Sequence, residues 1–251
     1  MPSLFQFTFR LTPWEYCLHL NFHDQKLAPG FRAVCVRDYL GIFWVGEPEH
    51  NEAARGSAHS LARSLVHAHA YWSFPDGALL NVEPVTWLEI RGSGAKDAVY
   101  GYMHPTLESV PLDPAHPDNP PLIRAAALAT AVLARGSFSM QLALADFRAA
   151  RREPWPYFAF YAYRVLEDVG FLFGATTDGH PDWPAMNCAF GTTKEKWQPL
   201  TDAGTAARHL SEGKLAELAG ANRRELLALS YEALTLALAH FGISPGPPPA
   251  P

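Results

Sequence analysis

The sequence predicts an α+β N-terminal domain, mainly an antiparallel sheet with one helix, followed by an all-α helical bundle. Three observations carry that expectation. Apolar and polar residues alternate through the first 110 positions, they recur at helical spacing beyond about residue 121, and the stretch between them, PLDPAHPDNPP (111–121), holds five prolines. Alternation marks a half-buried strand, and the i, i+3, i+4 spacing marks an amphipathic helix. So many prolines suit neither a helix interior nor a central strand. The expected organisation is a β-rich domain over 1–110, a linker over 111–121, a bundle over 122–243 and a disordered tail over 244–251, SPGPPPAP, which has nothing to bury.

Taken in order, FQFTFRL (5–11), YCLHLNF (16–22), FRAVCVRDYLGIFWVG (31–46), LLNVEPVTWLEIRG (79–92) and AVYGYMH (98–104) read as strands. They are rich in aromatic and β-branched residues, and turn signals such as Pro29-Gly30 and Asp76-Gly77 separate them. Between the third and fourth, residues 51–73 set Leu61, Leu65, Val66 and Ala70 at helical spacing, which predicts one helix on the sheet. Beyond the linker, helices are expected over 121–135, 138–152, 156–173, 182–190, 193–211 and 223–241, with a turn at 214–219. Gly136-Ser137 separates the first two. The last opens on Asn222 with Glu225 at the third helical position, a capping-box arrangement, and closes at Gly242 with Pro245 beyond it.

A chain with 48% hydrophobic and 18% charged residues has the composition of a globular protein with a core, not of a disordered or fibrous one. Without a run of 18 apolar residues or a basic-then-apolar leader in MPSLFQFTFRLTPWEY, a cytoplasmic protein with no membrane partner is expected. Residues 1–120 carry 8 Lys+Arg against 13 Asp+Glu, and residues 121–251 carry 12 against 12. That balance gives no overall pull toward phosphate and argues against duplex DNA. Cys17, Cys35 and Cys188 are odd in number and widely spaced, so they read as reduced core thiols and not as a disulfide framework.

The segment YFAFYAYRVLEDVGFLFG (157–174) is apolar nearly all round, yet it carries Arg164, Glu167 and Asp168 within five residues. At about 100° per residue the three share one side, with Phe160, Tyr161 and Phe171 among them, and Phe158, Ala162, Val165, Leu166, Val169 and Phe173 lie opposite. The helix is therefore expected to be central, with one charged seam. Arg164 can pair with Glu167 and Asp168 along the helix itself. An architectural seam that orients helices is one reading. The other sets Arg164 to bind an anion such as phosphate or carboxylate, with Glu167 holding its orientation.

The order LALADFRAARR (142–152), a proline-bearing break, FAFYAYRVLEDV (158–169), Trp183 and AARHLSEG (206–213) before a last amphipathic helix resembles the HEPN-type helical bundles of prokaryotic defence and toxin systems. It is similar in particular to the ApeA-like branch, in which a β-rich part precedes the bundle. The resemblance covers about residues 121–243, and a homodimer and an RNA or protein partner are what it implies. HEPN ribonucleases carry an Arg, a polar residue and then a His four to six residues beyond the Arg. Arg208 and His209 match the first two, but Leu210, Ser211, Glu212, Gly213 and Lys214 supply no distal His. RNA cleavage of this kind needs a group to take the 2′-hydroxyl proton and a cation on the phosphate. Lys214 is suited to the second task and is a poor base. The resemblance thus implies a non-catalytic or regulatory binding protein. The alternatives are a metal-independent ribonuclease using Arg208 and His209, and a sensor of a small anion bound by Arg164, Glu167, Asp168 and Lys214.

No cofactor is expected, since the sequence has no phosphate-binding glycine loop, dinucleotide fingerprint or nucleophile elbow. Among eleven His residues, His67 with His69 and His19 with His23 lack a third ligand at workable spacing, so no metal site is expected either. His59 and Arg63 sit at helical spacing as a polar patch.

Overall fold

The computed structural model describes residues 3–13, 21–91, 95–101, 120–209 and 222–243. The chain divides into two compact units, one running to Ala134 and the other starting at Arg135. An α+β part followed by helices is the architecture that alternation and helical spacing anticipate.

In the first unit β1 (Ser3–Thr12), β2 (Asn21–Ala28), β3 (Phe31–Val36), β4 (Tyr39–Gly46), β5 (Asn81–Arg91) and β6 (Ala95–Gly101) form one antiparallel sheet in the order β2-β3-β4-β1-β5-β6. β1 is paired along both edges, by β4 and β5, and its composition suits that place. Phe5, Phe7, Phe9 and Leu11 are buried on one face, while Gln6 and Thr8 are buried on the other and joined by a 3.3 Å hydrogen bond from Gln6 Nε2 to Thr8 Oγ1.

The stretch 31–46, expected as one strand, is two. The chain reverses at Arg37-Asp38, where Arg37 takes φ 55°, a conformation that costs a non-glycine residue energy. Asp38 holds the reversal in place: its carboxylate accepts from Arg10 Nε at 3.0 Å and its carbonyl from the Leu11 N–H at 2.6 Å. Most of the expected strand 16–22 lies outside the described residues, and β2 follows it.

Helix α1 (Asn51–Trp72) buries Ala54, Ala58, Leu61, Ala62, Leu65 and Val66 and packs on β1, β4 and β5. Helix α2 (Pro120–Ala134) has prolines in its first turn, where a missing N–H costs nothing. It packs on α1 and β2. Thr130 Oγ1 donates to the Lys26 carbonyl at 3.1 Å, and the Arg124 guanidinium lies 5.5 Å from the Trp72 ring. This helix, read from sequence as the first of the bundle, therefore falls in the first unit. Of the expected linker, residues 111–119 lie outside the described ones.

The second unit contains α3 (Phe138–Arg152), α4 (Tyr157–Phe171), α5 (Trp183–Phe190), α6 (Lys194–His209) and α7 (Arg223–His240). Three of them start on side-chain caps that accept backbone N–H groups, Ser137, Asp182 and Asn222. α4 is central and packs against α3, α6 and α7. Its Phe158, Ala162, Val165, Leu166 and Val169 are buried, as the helical arrangement of the apolar residues requires. α7 is fixed to it by Ser230 Oγ, which donates to the Ala162 carbonyl at 3.1 Å. α7 also closes the far end of α3: the Arg223 guanidinium donates to the carbonyls of Ala150, Arg151 and Glu153, placing a cation on the negative end of a helix.

Among the described residues no helix is long and apolar enough to cross a membrane. Cys35 is buried, but Cys188 is exposed on α5 and is not the core thiol expected of it. Cys17, the turn at 214–219 and the tail lie outside the described residues.

Candidate functional site

The charged seam of α4 is built from one helix face and two neighbours. Phe160, Tyr163, Arg164, Glu167 and Asp168 lie at spacings of three, four, seven and eight residues from the first, the geometry that puts side chains on one side of a helix. α3 contributes Asp146 and α6 contributes Arg208. Arg164 Nε donates to Asp146 Oδ2 at 2.7 Å, and Arg208 Nη2 donates to Glu167 Oε2. Both guanidinium groups also lie against the same ring: Arg164 and Arg208 are each 5.8 Å from the Phe160 centroid, and Arg208 is 4.8 Å from that of Tyr163. The two arginine-bearing stretches thus meet in space around Phe160.

α6 reaches α4 this closely because of Gly204. A Cβ there would overlap Cβ and Cγ of Tyr163. Arg208 is one helical turn further along the same face, so the glycine sets the approach from which it reaches Tyr163 and Glu167.

Electrostatically the seam is balanced. Asp168 is buried, with 6% of its surface exposed, and its Oδ2 has no hydrogen-bond partner among the described residues. Burial, and next to it the charge of Asp146 and a hydrogen bond with it, push the Asp168 carboxyl up to about 8, against the pull of Arg164. At neutral pH Asp168 therefore keeps its proton, and two carboxylates, Asp146 and Glu167, face two guanidinium groups. Burial and the nearby Glu167 raise the Tyr163 hydroxyl to about 12, so it too is neutral.

Residues 125–236 match the C-terminal domain of DUF8168, a domain of unknown function. No curated protein and no solved structure matches the chain. The DUF8168 match takes in Asp146, Phe160, Tyr163, Arg164, Glu167, Asp168 and Arg208. It begins inside α2 and ends within α7.

Within this DUF8168-like stretch the pairing differs from the one expected along the helix. Arg164 pairs with Asp146 of α3, and Glu167 with Arg208 of α6. Glu167 therefore orients Arg208, and Asp146 orients Arg164. The same-helix acids Asp168 and Glu167 still act on Arg164 through their charge, but the hydrogen bond goes to Asp146. His209 is exposed at the end of α6, about 100° round the helix from Arg208, and takes part in none of these contacts. Lys214 lies outside the described residues.

Sequence reading missed Tyr163 and, on α3, Asp146. Its signal was a lone carboxylate among Ala143, Leu144, Phe147 and Ala150, all of them buried, the complement of a lone Arg in an apolar helix. Among the described residues no three His, Cys, Asp or Glu side chains come together to hold a metal ion.

Proposed function

We propose that this chain is a non-catalytic binding protein whose helical unit is a HEPN-like bundle, with the two-arginine seam as an architectural element. One observation supports this above all: Arg208, which answers to the catalytic Arg of the HEPN resemblance, is spent on Glu167 and on the Tyr163 and Phe160 rings. A phosphate approaching either guanidinium would meet a carboxylate already in place, Glu167 on Arg208 Nη2 and Asp146 on Arg164 Nε. His209 takes part in none of the seam's contacts among the described residues, so a base and a cation do not converge there on one reacting atom. The role the resemblance implies is a regulatory component of prokaryotic defence or stress response, acting as a homodimer on a protein or RNA partner.

Incubating the purified chain with structured and single-stranded RNA under metal-free conditions tests this. RNA that stays intact, equally with wild type, Arg208→Ala and His209→Ala, is the expected outcome. Cleavage that disappears in His209→Ala while the fold is retained would replace this reading with that of a metal-independent ribonuclease. A sedimentation mass of twice the chain mass is expected for the homodimer.

A further inference from the structure

In NEAARGSAHSLAR (51–63), Glu52, Arg55, Gly56, His59 and Arg63 recur at spacings of three and four and so share one side of α1. That side overlooks an irregularity in the sheet. β5 meets β1 with Thr86 opposite Thr8 and Pro84 opposite Phe9, leaving Val85 as an extra residue. Pro84 has no N–H for the ladder, and a bulge bends the strand that carries it. A groove of about 750 Å³ opens there between the first half of α1 and the bulge, within the range of roughly 300–1,000 Å³ that suits a small organic ligand.

Its floor is aromatic. Phe7 and Phe9 line it from β1, and Trp87, paired with Phe7 in the register, lies on the same face. His59 stacks on Phe9 with centroids 6.0 Å apart and planes 21° from parallel. Gly56 stands at the rim, where a Cβ would meet nothing within 4 Å. The charged residues that line it are Glu52 and Arg55, and Arg63 follows His59 one turn further along α1, outside the lining. Arg55 faces Glu52 only loosely, at 3.8 Å, with 56% and 78% of the two side chains exposed, and Arg63 has no carboxylate partner among the described residues. Burial, and then the charges of Arg63 and Arg55, lower the pKa of His59. These cations differ from Arg164 and Arg208, each of which is held by a close carboxylate.

We propose that the groove binds a small planar aromatic anion of about the size of a nucleoside monophosphate, its ring against Trp87 and the Phe9–His59 stack and its anionic group on Arg55. A phosphate or a carboxylate supplies the same chemistry there.

Titration of the full chain with adenosine 5′-monophosphate, benzoate, adenosine and inorganic phosphate, followed by calorimetry and by the His59 ring resonances, tests the proposal. The monophosphate or benzoate binds, and adenosine and phosphate each bind at least about tenfold more weakly, because each lacks one half of the recognition. Preference for the monophosphate assigns a nucleotide, and preference for benzoate an aromatic carboxylate. The His59 ring resonances shift on binding, because the ligand ring lies against the Phe9–His59 stack. Arg55→Gln weakens binding by about tenfold or more through loss of a charge-assisted contact. Gly56→Glu abolishes binding by setting a carboxylate at the rim, at a helical position that tolerates a side chain. No binding at millimolar ligand, equal binding of phosphate and monophosphate, or affinity unmoved by both variants would overturn it.

Discussion

Asp168 is the residue at which burial and charge most directly oppose each other. Folding moves its carboxyl from an ordinary 3.8 up to about 8, through burial and Asp146. The native state therefore keeps a proton that the unfolded chain has lost across that interval, and stability falls as pH rises through it. Asp168→Asn replaces the protonated acid by a neutral group of the same shape. Its denaturation midpoint should decline less than the wild-type midpoint between about pH 5 and pH 9, so that the two curves converge or cross at the alkaline end. Parallel curves would mean that the carboxyl ionises normally in the fold. Arg208 carries a different kind of energy. Its partly exposed ion pair is worth under about 1 kcal/mol, and its ring contacts add about 0.5–1 kcal/mol each. Arg208→Ala should thus lower the unfolding free energy by about 2 kcal/mol, with Arg208→Lys intermediate because a point charge keeps the pair but not the planar stacking. Only the ion-pair share should weaken with added salt, which a denaturation series at two ionic strengths resolves.

Two glycines show how the same residue type serves opposite ends at the level of the element. Gly56 in α1 has open space where a side chain would be, whereas a Cβ at Gly204 in α6 would overlap the base of the Tyr163 side chain. Gly56→Ala should raise stability by up to about 1 kcal/mol, the helix-propensity difference. Gly204→Ala should lower it by about 1–3 kcal/mol, since Tyr163 would have to yield at its root. Chemical denaturation of both variants compares the two directly, and loss of stability in both would show that α1 is confined near Gly56 in a way the structure does not indicate. Nothing in the sequence distinguishes these glycines, because the difference lies in what packs against them. Much else at this scale was legible. α1, α3, α4 and α7 start and stop within about two residues of where periodicity and capping put them, because their apolar faces and terminal signals agree. The turn at Arg37-Asp38 was not, since it uses no glycine and its support comes from Arg10 and Leu11 on β1, next to β4 in the sheet but remote in sequence. The seam was half legible: the spacing in α4 put Arg164, Glu167 and Asp168 on one side, but which carboxylate meets which arginine depended on Asp146 and Arg208, which arrive from other helices.

At the scale of the whole molecule, composition and compactness divide the chain at different points. The prolines of 111–121 suggest a boundary before α2, and the DUF8168 match starts at residue 125, inside that helix. Contacts put α2 with α1 and β2, and the division falls after Ala134. The amino-acid sequence misleads here because α2 is helical in period, like everything after it, and period reports local structure and not the partner of the buried face. Leu122, Ala125, Ala126, Leu128, Ala129 and Val132 are all buried, and a chain cut before them would leave the matching surface of α1 and β2 in water. A fragment ending at residue 119 should therefore aggregate or unfold with little cooperativity, while one ending at Ala134 should be monodisperse and unfold in a single cooperative transition. The complementary fragment from Arg135 retains α3 to α7 around α4 and should give a helical circular-dichroism spectrum with a sigmoidal melt. Comparable melts for the fragments ending at 119 and at 134 would show that α2 contributes nothing to the first unit, and would move the domain boundary back to the prolines.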